Sequence, residues 1–366
     1  MASLGAMKIT DIRVTALRTV KLDKPFWNSI ILTEKQDRGR VEIATDAGIV
    51  GMAPCGAGAR RDVEGAIRAK LLGRDPLRTE ELWQLLYMGG TRKPIHKGGF
   101  IAAMSVVDNA LWDLKGKALG QPVWRLAGGA QSKVKVYAAG GYYGRDKGLA
   151  ELGRELESYV SEGFRAVKMK VGWSGIPLRE DAERVRAARK AIGPDVELMI
   201  DANNAWDAST AIRFGRMVED AEPYWFEEPV HADDIAGAVK VAAALDVPVA
   251  SGENEQTRYG FRDLIERGGA EIVQADPNDC GGISEWLKIA AIAAAHHLPM
   301  APHGNAPVGC ACVAATSNGL ITEHYPTAHS NEMMGPPDFR DGMIHMGDDP
   351  GLGIRWDDAY IARHKE

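Results

Sequence analysis

Two lysines that alternate within a short apolar segment are the first residues that could do chemistry. The segment AVKMKV, residues 166–171, carries Lys168 and Lys170. In a β-strand, side chains two positions apart lie on the same face, so the two ammonium groups would be neighbours. Each charge would lower the pKa of the other, and a lysine with a lowered pKa can act as a general base. An edge strand with two solvated lysines would have the same pattern, so residues further along the chain must decide.

Ionisable residues recur at the carboxyl ends of the later predicted strands. They are Asp201, Glu227, Glu228, Glu253, Asp276, His303 and Glu323. A single carboxylate after a strand is commonly a helix cap, but so many consecutive strand ends indicate a shared site. If the strands form a barrel, their carboxyl ends meet at one face, and we expect these side chains to converge there.

Three of these acids, Asp201, Glu227 and Glu253, would repel one another strongly unless a cation lay between them. Carboxylate oxygens suit a hard ion, and Mg²⁺ keeps positions open for water or substrate. Glu228 follows Glu227 directly, so in a strand it would face away from the ion and could support the ligands by hydrogen bonding.

Asp276 and His303 are predicted at neighbouring strand ends on the other flank. A carboxylate that accepts from one imidazole nitrogen fixes the tautomer and leaves the other nitrogen free for proton transfer. His296 and His297 are alternatives, but their position at the end of an alanine-rich helix favours a structural role.

The pattern of predicted strands and helices that must position these residues changes along the chain. Residues 7–20 alternate as a strand, residues 41–55 read as a hairpin, and three helical patterns follow, which indicates a small α+β domain. From about residue 133, strand and helix patterns alternate about eight times, which is typical of a parallel α/β sheet. No glycine-rich phosphate fingerprint follows the first of these strands. An open doubly wound sheet is the rival, but the strand count and the even spacing favour a (β/α)-barrel with a shortened last strand or a lost final helix.

Three units are predicted along the chain. They are a small α+β domain at residues 1–125, a barrel domain at 126–325 and a C-terminal segment at 326–366 that packs back on the amino-terminal domain. In the first unit, segments 22–30 and 51–59 are predicted as loops that close over a site. Phe26 and Trp27 of the first loop are candidates for substrate contact, with local packing as the alternative. Basic residues considered for a distal substrate carboxylate, or else for solvated surface, are Arg60, Arg61, Arg92, Lys93 and His96.

The composition argues against several classes of function. The 366 residues are 45% hydrophobic and 26% charged, which is ordinary for a globular protein with a sizeable core. A net charge of −6 without a long basic run argues against nucleic-acid and anionic-membrane partners. The four cysteines form no CxxC pair, and the amino terminus has no basic region followed by an apolar run. We expect a reduced, soluble cytoplasmic protein, with residues 1–6 as a cloning remnant if Met7 is the natural start.

Several segments resemble the enolase superfamily, in its mandelate racemase subgroup. They are VVDNALWDLKGKALGQPVWRLAGG, VKMKVG, LMIDANNAW, WFEEPV, SGENE, QADPNDCGGIS, APHGN and LITEH, spread over nearly the whole chain. The resemblance implies an α/β fold, a modified (β/α)₇β TIM-like barrel with an α+β N-terminal capping domain. It also implies essential Mg²⁺ held by Asp201, Glu227 and Glu253.

The resemblance further implies roles for the catalytic residues. Lys170 would be the base on one face of the substrate, and Lys168 would tune it and touch the substrate carboxylate. His303, paired with Asp276, would be the acid or base on the opposite face. Glu323 would hydrogen-bond the substrate carboxylate.

Two positions refine the resemblance. Asn203 is similar to a position that contacts substrate in acid-sugar dehydratases. Asp279 departs from the family pattern, because a second acid precedes the paired glycines where a basic or neutral residue is commoner.

The implied reaction is abstraction of the proton α to a carboxylate. Dehydration of a mono- or diacid sugar to a 2-keto-3-deoxy acid is favoured, because bases on both faces most often accompany it in this subgroup. A racemase or epimerase of a 2-hydroxy acid is the alternative. A cycloisomerase is less favoured, because it usually has lysines on both faces. A catalytically inactive binding protein is less favoured too, because it would lack a ligand or a base and none is missing here. The expected partners are a small carboxylate substrate and further copies of the chain, as a dimer or octamer.

Overall fold

The amino-terminal part of the protein is built on an antiparallel sheet. The computed structural model describes residues 7–89, 97–304, 306–326 and 329–366. The first strands are β1 (Ile9–Trp27), β2 (Leu32–Thr45) and β3 (Val50–Cys55). The turn between β2 and β3 lies where the sequence predicts a hairpin, because Gly48 supplies the positive φ that a tight turn needs.

Helices follow these strands without further alternation, as expected for an α+β unit. They are α1 (Arg60–Asp62), α2 (Arg68–Leu71), α3 (Thr79–Gly89), α4 (Gly99–Leu119) and α5 (Val123–Leu126), with a π-helical stretch, Val63–Ile67, between α1 and α2. Helix α4 is buried on nearly all sides, since it packs against β3 on one side and against a barrel helix on another.

Parallel strands close into a barrel in the second part of the protein. They are β4 (Lys133–Ala139), β6 (Ala166–Lys170), β7 (Glu197–Asp201), β8 (Trp225–Glu227), β9 (Val249–Ser251), β10 (Ile272–Val273) and β11 (Thr322–His324), while the short β5 (Tyr143–Gly144) joins the sheet of β1. The pairing runs β10-β9-β8-β7-β6-β4, and β11 pairs with β4. Met300 closes the circle, because it bridges Val273 on one side and Gly319 on the other.

Barrel helices follow the strands on the outside. They are α6 (Leu149–Ser161), α7 (Leu178–Ile192), α8 (Ala208–Met217), α9 (Ile235–Ala244), α10 (Thr257–Glu266), α11 (Ile283–Ala295) and α12 (Ala306–Ala315). After β11 the described chain continues into a 3₁₀ turn, His329–Met333, and not into another barrel helix. The modified (β/α)₇β barrel with its capping domain is therefore confirmed as the fold class.

Alternation along the barrel strands produces two separate cores. Inward-facing side chains fill the barrel; they are Tyr137, Ala139, Ala166, Met199, Trp225, Ala250, Ile272, Ala301 and Ile321. Outward-facing side chains such as Val167 and Phe226 join the larger core beneath the helices. Because inward positions recur every two residues, Lys168 and Lys170 continue the face of Ala166 toward the carboxyl end of the barrel.

The segment that was predicted as a loop around Phe26 and Trp27 is part of a strand. Both residues pair with β2 on one side and with β5 on the other. The prediction was wrong because the pairing with β5 joins residues that are distant in sequence. An irregularity between Lys21 and Phe26 accommodates the proline, which has no N–H to donate. Segment 51–59 is likewise mostly β3 and a 3₁₀ turn, Ala57–Ala59.

The C-terminal segment contacts both parts of the molecule. Strands β12 (Phe339–Arg340) and β13 (Met343–His345) form a hairpin, and β13 pairs with β4 of the barrel. Helix α13 (Asp358–His364) lies beside β1, and its Asp358 pairs with Arg40 of β2 at 2.6 Å. The three predicted domain limits stay predictions. Among the helices in the described ranges, none has both the length and the apolar character needed to cross a bilayer.

Candidate active site

Three carboxylates meet at the mouth of the barrel, each supplied by a different strand. Asp201 ends β7, Glu227 ends β8, and Glu253 lies two residues beyond β9. One oxygen atom from each lies within 4.8 Å of the other two. Asp201 and Glu227 are fully buried, so water screens their repulsion only weakly. The structure thus brings together the three acids predicted as metal ligands.

Lys168 and Lys170 lie on one face of β6, beside these acids. Lys168 Nζ lies 2.6 Å from Glu227 Oε1 and 2.8 Å from Glu323 Oε1. Lys170 forms an ion pair with Asp201, and both lysines are buried. Because β6 lies between β4 and β7, the alternative of an edge strand with solvated lysines is wrong.

The expected lowering of the lysine pKa values is reversed by the neighbouring acids. Burial would lower the pKa of Lys170, but Asp201 outweighs burial and the repulsion from Lys168, so the pKa is raised. Burial of Lys168 is likewise outweighed by Glu227 and Glu323, which raise its pKa. The sequence reasoning considered only the neighbouring ammonium group. A base at Lys170 therefore requires the charge of these acids to be neutralised.

His303 and Asp276 form a hydrogen-bonded pair on the other flank. His303 Nδ1 lies 2.9 Å from Asp276 Oδ2. Its Nε2 lies toward the acids, 3.4 Å from Glu253 Oε2 and 3.5 Å from Glu323 Oε2. Burial would lower the pKa of this imidazole, but the surrounding carboxylates raise it. The arrangement can therefore hold a proton at Nε2 beside the acids.

Glu323 and Glu228 have different surroundings although both lie near the three acids. Glu323 accepts a hydrogen bond from the Gly304 N–H at 3.0 Å. Burial would raise the pKa of Glu323, but Lys168 and His303 lower it.

Glu228 leaves the strand with a φ of 38°, and it accepts hydrogen bonds from the side chains of Asn204 at 2.6 Å and Asn254 at 2.7 Å. Burial and the charge of Glu253 raise the pKa of Glu228 to about 9. Glu228 therefore links two loops at the rim and is not one of the three converging acids.

Asn203 borders the site directly. Its backbone N–H donates to Asp201 Oδ1 at 2.8 Å, and its carbonyl accepts from Ser29 Oγ at 2.8 Å. Among the described residues, no hydrogen-bond partner reaches its buried side-chain Oδ1. Asn203 therefore combines a polar atom available to a ligand with a link to the tip of the β1–β2 hairpin.

Phe26 and Trp27 lie at the rim, one layer further out. The Phe26 ring packs 4.5 Å from the ring of Tyr142, and the Tyr142 ring lies 5.4 Å from Lys170 Nζ. Trp27 packs at 5.1 Å against Trp173. Both aromatics thus pack locally, and Phe26 is connected to the base through Tyr142.

Three tyrosines at the site were missed by the sequence analysis. They are Tyr137, Tyr142 and Tyr325. The hydroxyl of Tyr137 lies 3.3 Å from Lys168 Nζ, and that of Tyr325 lies 3.3 Å from His303 Nε2. Strand periodicity could have found Tyr325, which lies two residues after Glu323. Tyr142 follows β4 in an irregular segment, where no sequence pattern marks it.

Other candidate residues lie away from this site. Arg61 is exposed beside Asp62, and Arg60 lies 3.6 Å from Glu366. His296 and His297 are exposed at the end of α11, and Arg92, Lys93 and His96 fall outside the described residues. Near the histidine pair, burial and the charge of Asp276 raise the pKa of Asp279 to about 6.

The donor set fits a magnesium ion. All three acids offer oxygen atoms, the ligand type that Mg²⁺ prefers. Burial and the neighbouring Asp201 raise the pKa of Glu227 to about 8, so the cluster disfavours full ionisation without a cation. Within the described ranges, Glu253 Oε2 is buried without a hydrogen bond, which leaves it available as a ligand.

Comparisons with known proteins agree with this geometry. The chain is 33% identical to an arabinonate dehydratase of Saccharolobus solfataricus over 88% of this chain and 89% of that protein. It is 37% identical to a D-galactarolactone cycloisomerase of Agrobacterium fabrum over 81% of this chain and 78% of that protein. These relatives act on sugar-acid compounds by two different reactions.

A solved structure and two family descriptions complete the comparison. A racemase of Streptomyces coelicolor with bound magnesium superposes with a TM-score of 0.90 at 30% identity, covering 98% of this chain and 100% of that one. Residues 10–128 match the mandelate racemase / muconate lactonizing enzyme N-terminal domain, and residues 151–360 match the enolase C-terminal domain-like family. Together with the acid triad, these likenesses identify Mg²⁺ as the cofactor. The chain belongs to the enolase superfamily, in its mandelate racemase and muconate lactonizing enzyme branch.

Proposed function

We propose that this enzyme removes the proton α to a carboxylate and dehydrates a mono- or diacid sugar to a 2-keto-3-deoxy acid. The observation that carries the proposal is the presence of two proton-transfer groups on different flanks of one acid cluster. Lys170 pairs with Asp201 on one flank, and His303 Nε2 lies 3.4 Å from Glu253 on the other. The similarity to an arabinonate dehydratase supports dehydration in particular.

The three converging acids, Asp201, Glu227 and Glu253, would hold the metal ion. When bound, Mg²⁺ supplies positive charge that neutralises these acids and stabilises the negative charge developing on the substrate carboxylate. Neutralising Asp201 also removes the main cause of the raised pKa of Lys170, which allows the amine to act as a base.

Proton transfer then divides between the two flanks. Lys170 Nζ takes the α-proton from one face of the substrate. The C–O bond to the β-hydroxyl breaks as His303 Nε2 donates its proton to that oxygen, so water leaves and an enol remains. The enol then tautomerises to the keto acid. Asp276 holds His303 Nδ1 throughout, which keeps Nε2 directed into the site.

Other residues would bind and orient the substrate. Lys168 and Glu323, which contact each other at 2.8 Å, would flank the substrate carboxylate. Asn203 has a side-chain oxygen without a partner among the described residues and would accept from a substrate hydroxyl. Phe26 and Trp27 at the rim would limit the length of the bound acid.

Cycloisomerisation is the second candidate, because the relative with 37% identity is a cycloisomerase. The histidine on the second flank argues against it, because a cycloisomerase usually has lysines on both faces. Racemisation or epimerisation of a 2-hydroxy acid is also carried forward, since reprotonation from the opposite flank would invert the α-carbon when no leaving group is present.

The test is a screen of acid sugars and their lactones with Mg²⁺ in deuterated water. Dehydration predicts a keto product that reacts with semicarbazide. Racemisation predicts deuterium uptake without a keto product, and cycloisomerisation predicts conversion of lactones without loss of water. If no compound exchanges its α-proton, the proposal is wrong.

Assembly and location stay predictions. A homo-oligomer, either a dimer or an octamer, is expected from the family resemblance. A cytoplasmic location is expected from the sequence. Light scattering on the purified protein would measure the assembly.

A further inference from the structure

A capping-domain helix holds the loop that supplies Asp276. This loop, residues 276–284, is here called the dyad loop, and it runs from the end of β10 into α11. Four side chains of α4 bind it; they are Ser105, Asp108, Asn109 and Trp112. All four are buried, with at most 8% of each residue exposed. Asp108, Asn109 and Trp112 belong to VVDNALWDLKGKALGQPVWRLAGG, one of the segments that resemble the family. This segment therefore contacts the loop of the barrel domain that carries Asp276.

The contacts cover most of the dyad loop. Ser105 Oγ accepts from the Gly281 N–H at 2.8 Å, and Asp108 accepts from the backbone and hydroxyl of Ser284 at 2.8 and 2.7 Å. Gly282 has a φ of 86°, and a Cβ there would lie 2.5 Å from Asp108. The second glycine of the pair thus permits the close approach of the loop to α4.

Asn109 starts a continuous hydrogen-bonded chain to the catalytic pair. Its amide donates to the Pro277 carbonyl at 2.9 Å and to Asn278 Oδ1 at 3.2 Å. Asn278 in turn donates to Asp276 Oδ1 from its backbone at 2.7 Å and from its side chain at 3.1 Å. This leaves Asp276 Oδ2 for His303, at 2.9 Å from Nδ1.

The lysine flank is built differently. The backbone of Lys170 is held inside the barrel domain, where Arg184 donates to its carbonyl at 2.9 Å. Asp181 anchors the guanidinium of Arg184 at 2.8 Å and accepts from the Gly172 N–H at 2.6 Å. These hydrogen bonds lie within the barrel domain, and β1 approaches this flank through Phe26, which packs on Tyr142 beside Lys170. Because α4 contributes none of the contacts named on this flank, a change in α4 should leave Lys170 in place.

We propose that Asn109 is a positioning residue that fixes the orientation of the Asp276–His303 pair from the capping domain. It determines which oxygen of Asp276 faces the imidazole and so where His303 Nε2 points. The effect on turnover rests on the proposed function. The effect on the geometry of the pair does not.

The test replaces Asn109 by leucine, which has a similar volume and cannot hydrogen-bond. The control is Asp113→Asn, one turn further along α4. Asp113 is equally buried and links Met52 and Leu352, each at 2.8 Å, but not the dyad loop. A general loosening of α4 would affect both variants alike, whereas loss of positioning would affect Asn109→Leu alone.

Two measurements are made on each Mg²⁺-loaded variant. The first is the rate of dehydration divided by the rate of α-proton exchange. Because small displacements of catalytic groups cost up to about 100-fold, we expect this ratio to fall about 10- to 100-fold in Asn109→Leu and to stay within about twofold in Asp113→Asn. An unchanged ratio in Asn109→Leu, or an equal fall in both variants, would overturn the inference.

The second measurement does not depend on substrate. In protein labelled with ¹⁵N-histidine, the Nδ1–H of His303 should give a downfield proton signal, assigned by its loss in His303→Asn. We expect the signal in the parent and in Asp113→Asn, and its loss or upfield shift in Asn109→Leu. Retention of the signal in Asn109→Leu contradicts the positioning role even if no acid sugar is turned over.

If Asn109→Leu does not fold, Asn278→Ala removes the same link from the loop side. The backbone N–H of Asn278 would still donate to Asp276, so the expected fall in the ratio is smaller, about threefold to tenfold. An unchanged ratio together with an unchanged His303 signal in Asn278→Ala would then contradict the inference.

Discussion

The lysine and histidine flanks of the active site carry comparable chemistry but are held in different ways. Lys168 and Lys170 come from one strand, and each forms an ion pair with a carboxylate of the site. Asp276 and His303 come from loops after separate strands, and the chain of contacts that orients Asp276 extends into α4. The two lysines are therefore placed by the geometry of one strand, with Phe26 of β1 approaching only through Tyr142. The orientation of Asp276, in contrast, depends on direct hydrogen bonds from α4 to the dyad loop.

This difference implies that the two flanks respond differently to substitution. The spacing of the two lysines cannot change without breaking the inward alternation of β6, which also places Ala166 in the barrel core. If Asn109 positions the Asp276–His303 pair as proposed, changes in the dyad loop or in α4 would move the histidine flank while the barrel stays intact. We infer that substitutions should separate the two flanks functionally.

The largest effect is expected from Lys170→Ala. If Lys170 starts the reaction, its loss should reduce both α-proton exchange and dehydration by about 10³-fold or more, within the usual range for a general base. Deuterium incorporation and keto-product formation are measured in parallel, with near-ultraviolet circular dichroism as the control for folding. Exchange at the parental rate would exclude Lys170 as the base.

A more selective effect is expected from His303→Asn. Dehydration should fall about 10²- to 10³-fold because no acid protonates the leaving hydroxyl, while exchange through Lys170 persists. The same two assays on one substrate measure this split directly. Equal loss of both activities would argue against a division of labour between the flanks.

The smallest effect is expected from Asp108, which binds Ser284 at the end of the dyad loop. Burial raises the pKa of Asp108 to about 7 from its ordinary 3.8. Between these pH values the folded protein keeps a proton that the unfolded chain has lost, so the contribution of Asp108 to stability falls as pH rises from about 4 to 7. Asp108→Asn cannot ionise and should still hydrogen-bond Ser284.

The change in the free energy of unfolding between pH 5 and pH 8 should therefore be more negative for the parent than for Asp108→Asn. The conversion from pKa to free energy gives a difference of the order of a few kcal/mol. Urea unfolding at saturating Mg²⁺ measures it, and parallel pH profiles for the two proteins would contradict the assignment.

Much of the candidate site could be predicted from the sequence, because its residues follow the alternation and the ends of the strands. The inward alternation of β6 identified Lys168 and Lys170, and the strand ends identified Asp201, Glu227 and Glu253. The structure also brings Asp276 and His303 to 2.9 Å of each other, because both follow neighbouring positions of the closed barrel.

The remainder depended on contacts that no local pattern encodes. Tyr142 reaches Lys170 from an irregular segment, and Phe26 and Trp27 lie in a strand because β2 and β5 pair with their backbone. The raised pKa of Lys170 could not be predicted from the strand alone. It depends on the position of Asp201, whose attraction outweighs the repulsion from Lys168. The role inferred for Asn109 likewise required the packing of two domains.

The central claim is that Asp201, Glu227 and Glu253 hold one divalent ion with Lys170 and His303 on different sides of it. A crystal structure of the Mn²⁺-loaded protein, measured at the manganese absorption edge, tests this claim directly. We predict one strong anomalous peak within bonding distance of all three carboxylates, with the two bases on opposite sides of the peak. A peak elsewhere, dispersed carboxylates, or both bases on one side would contradict the account.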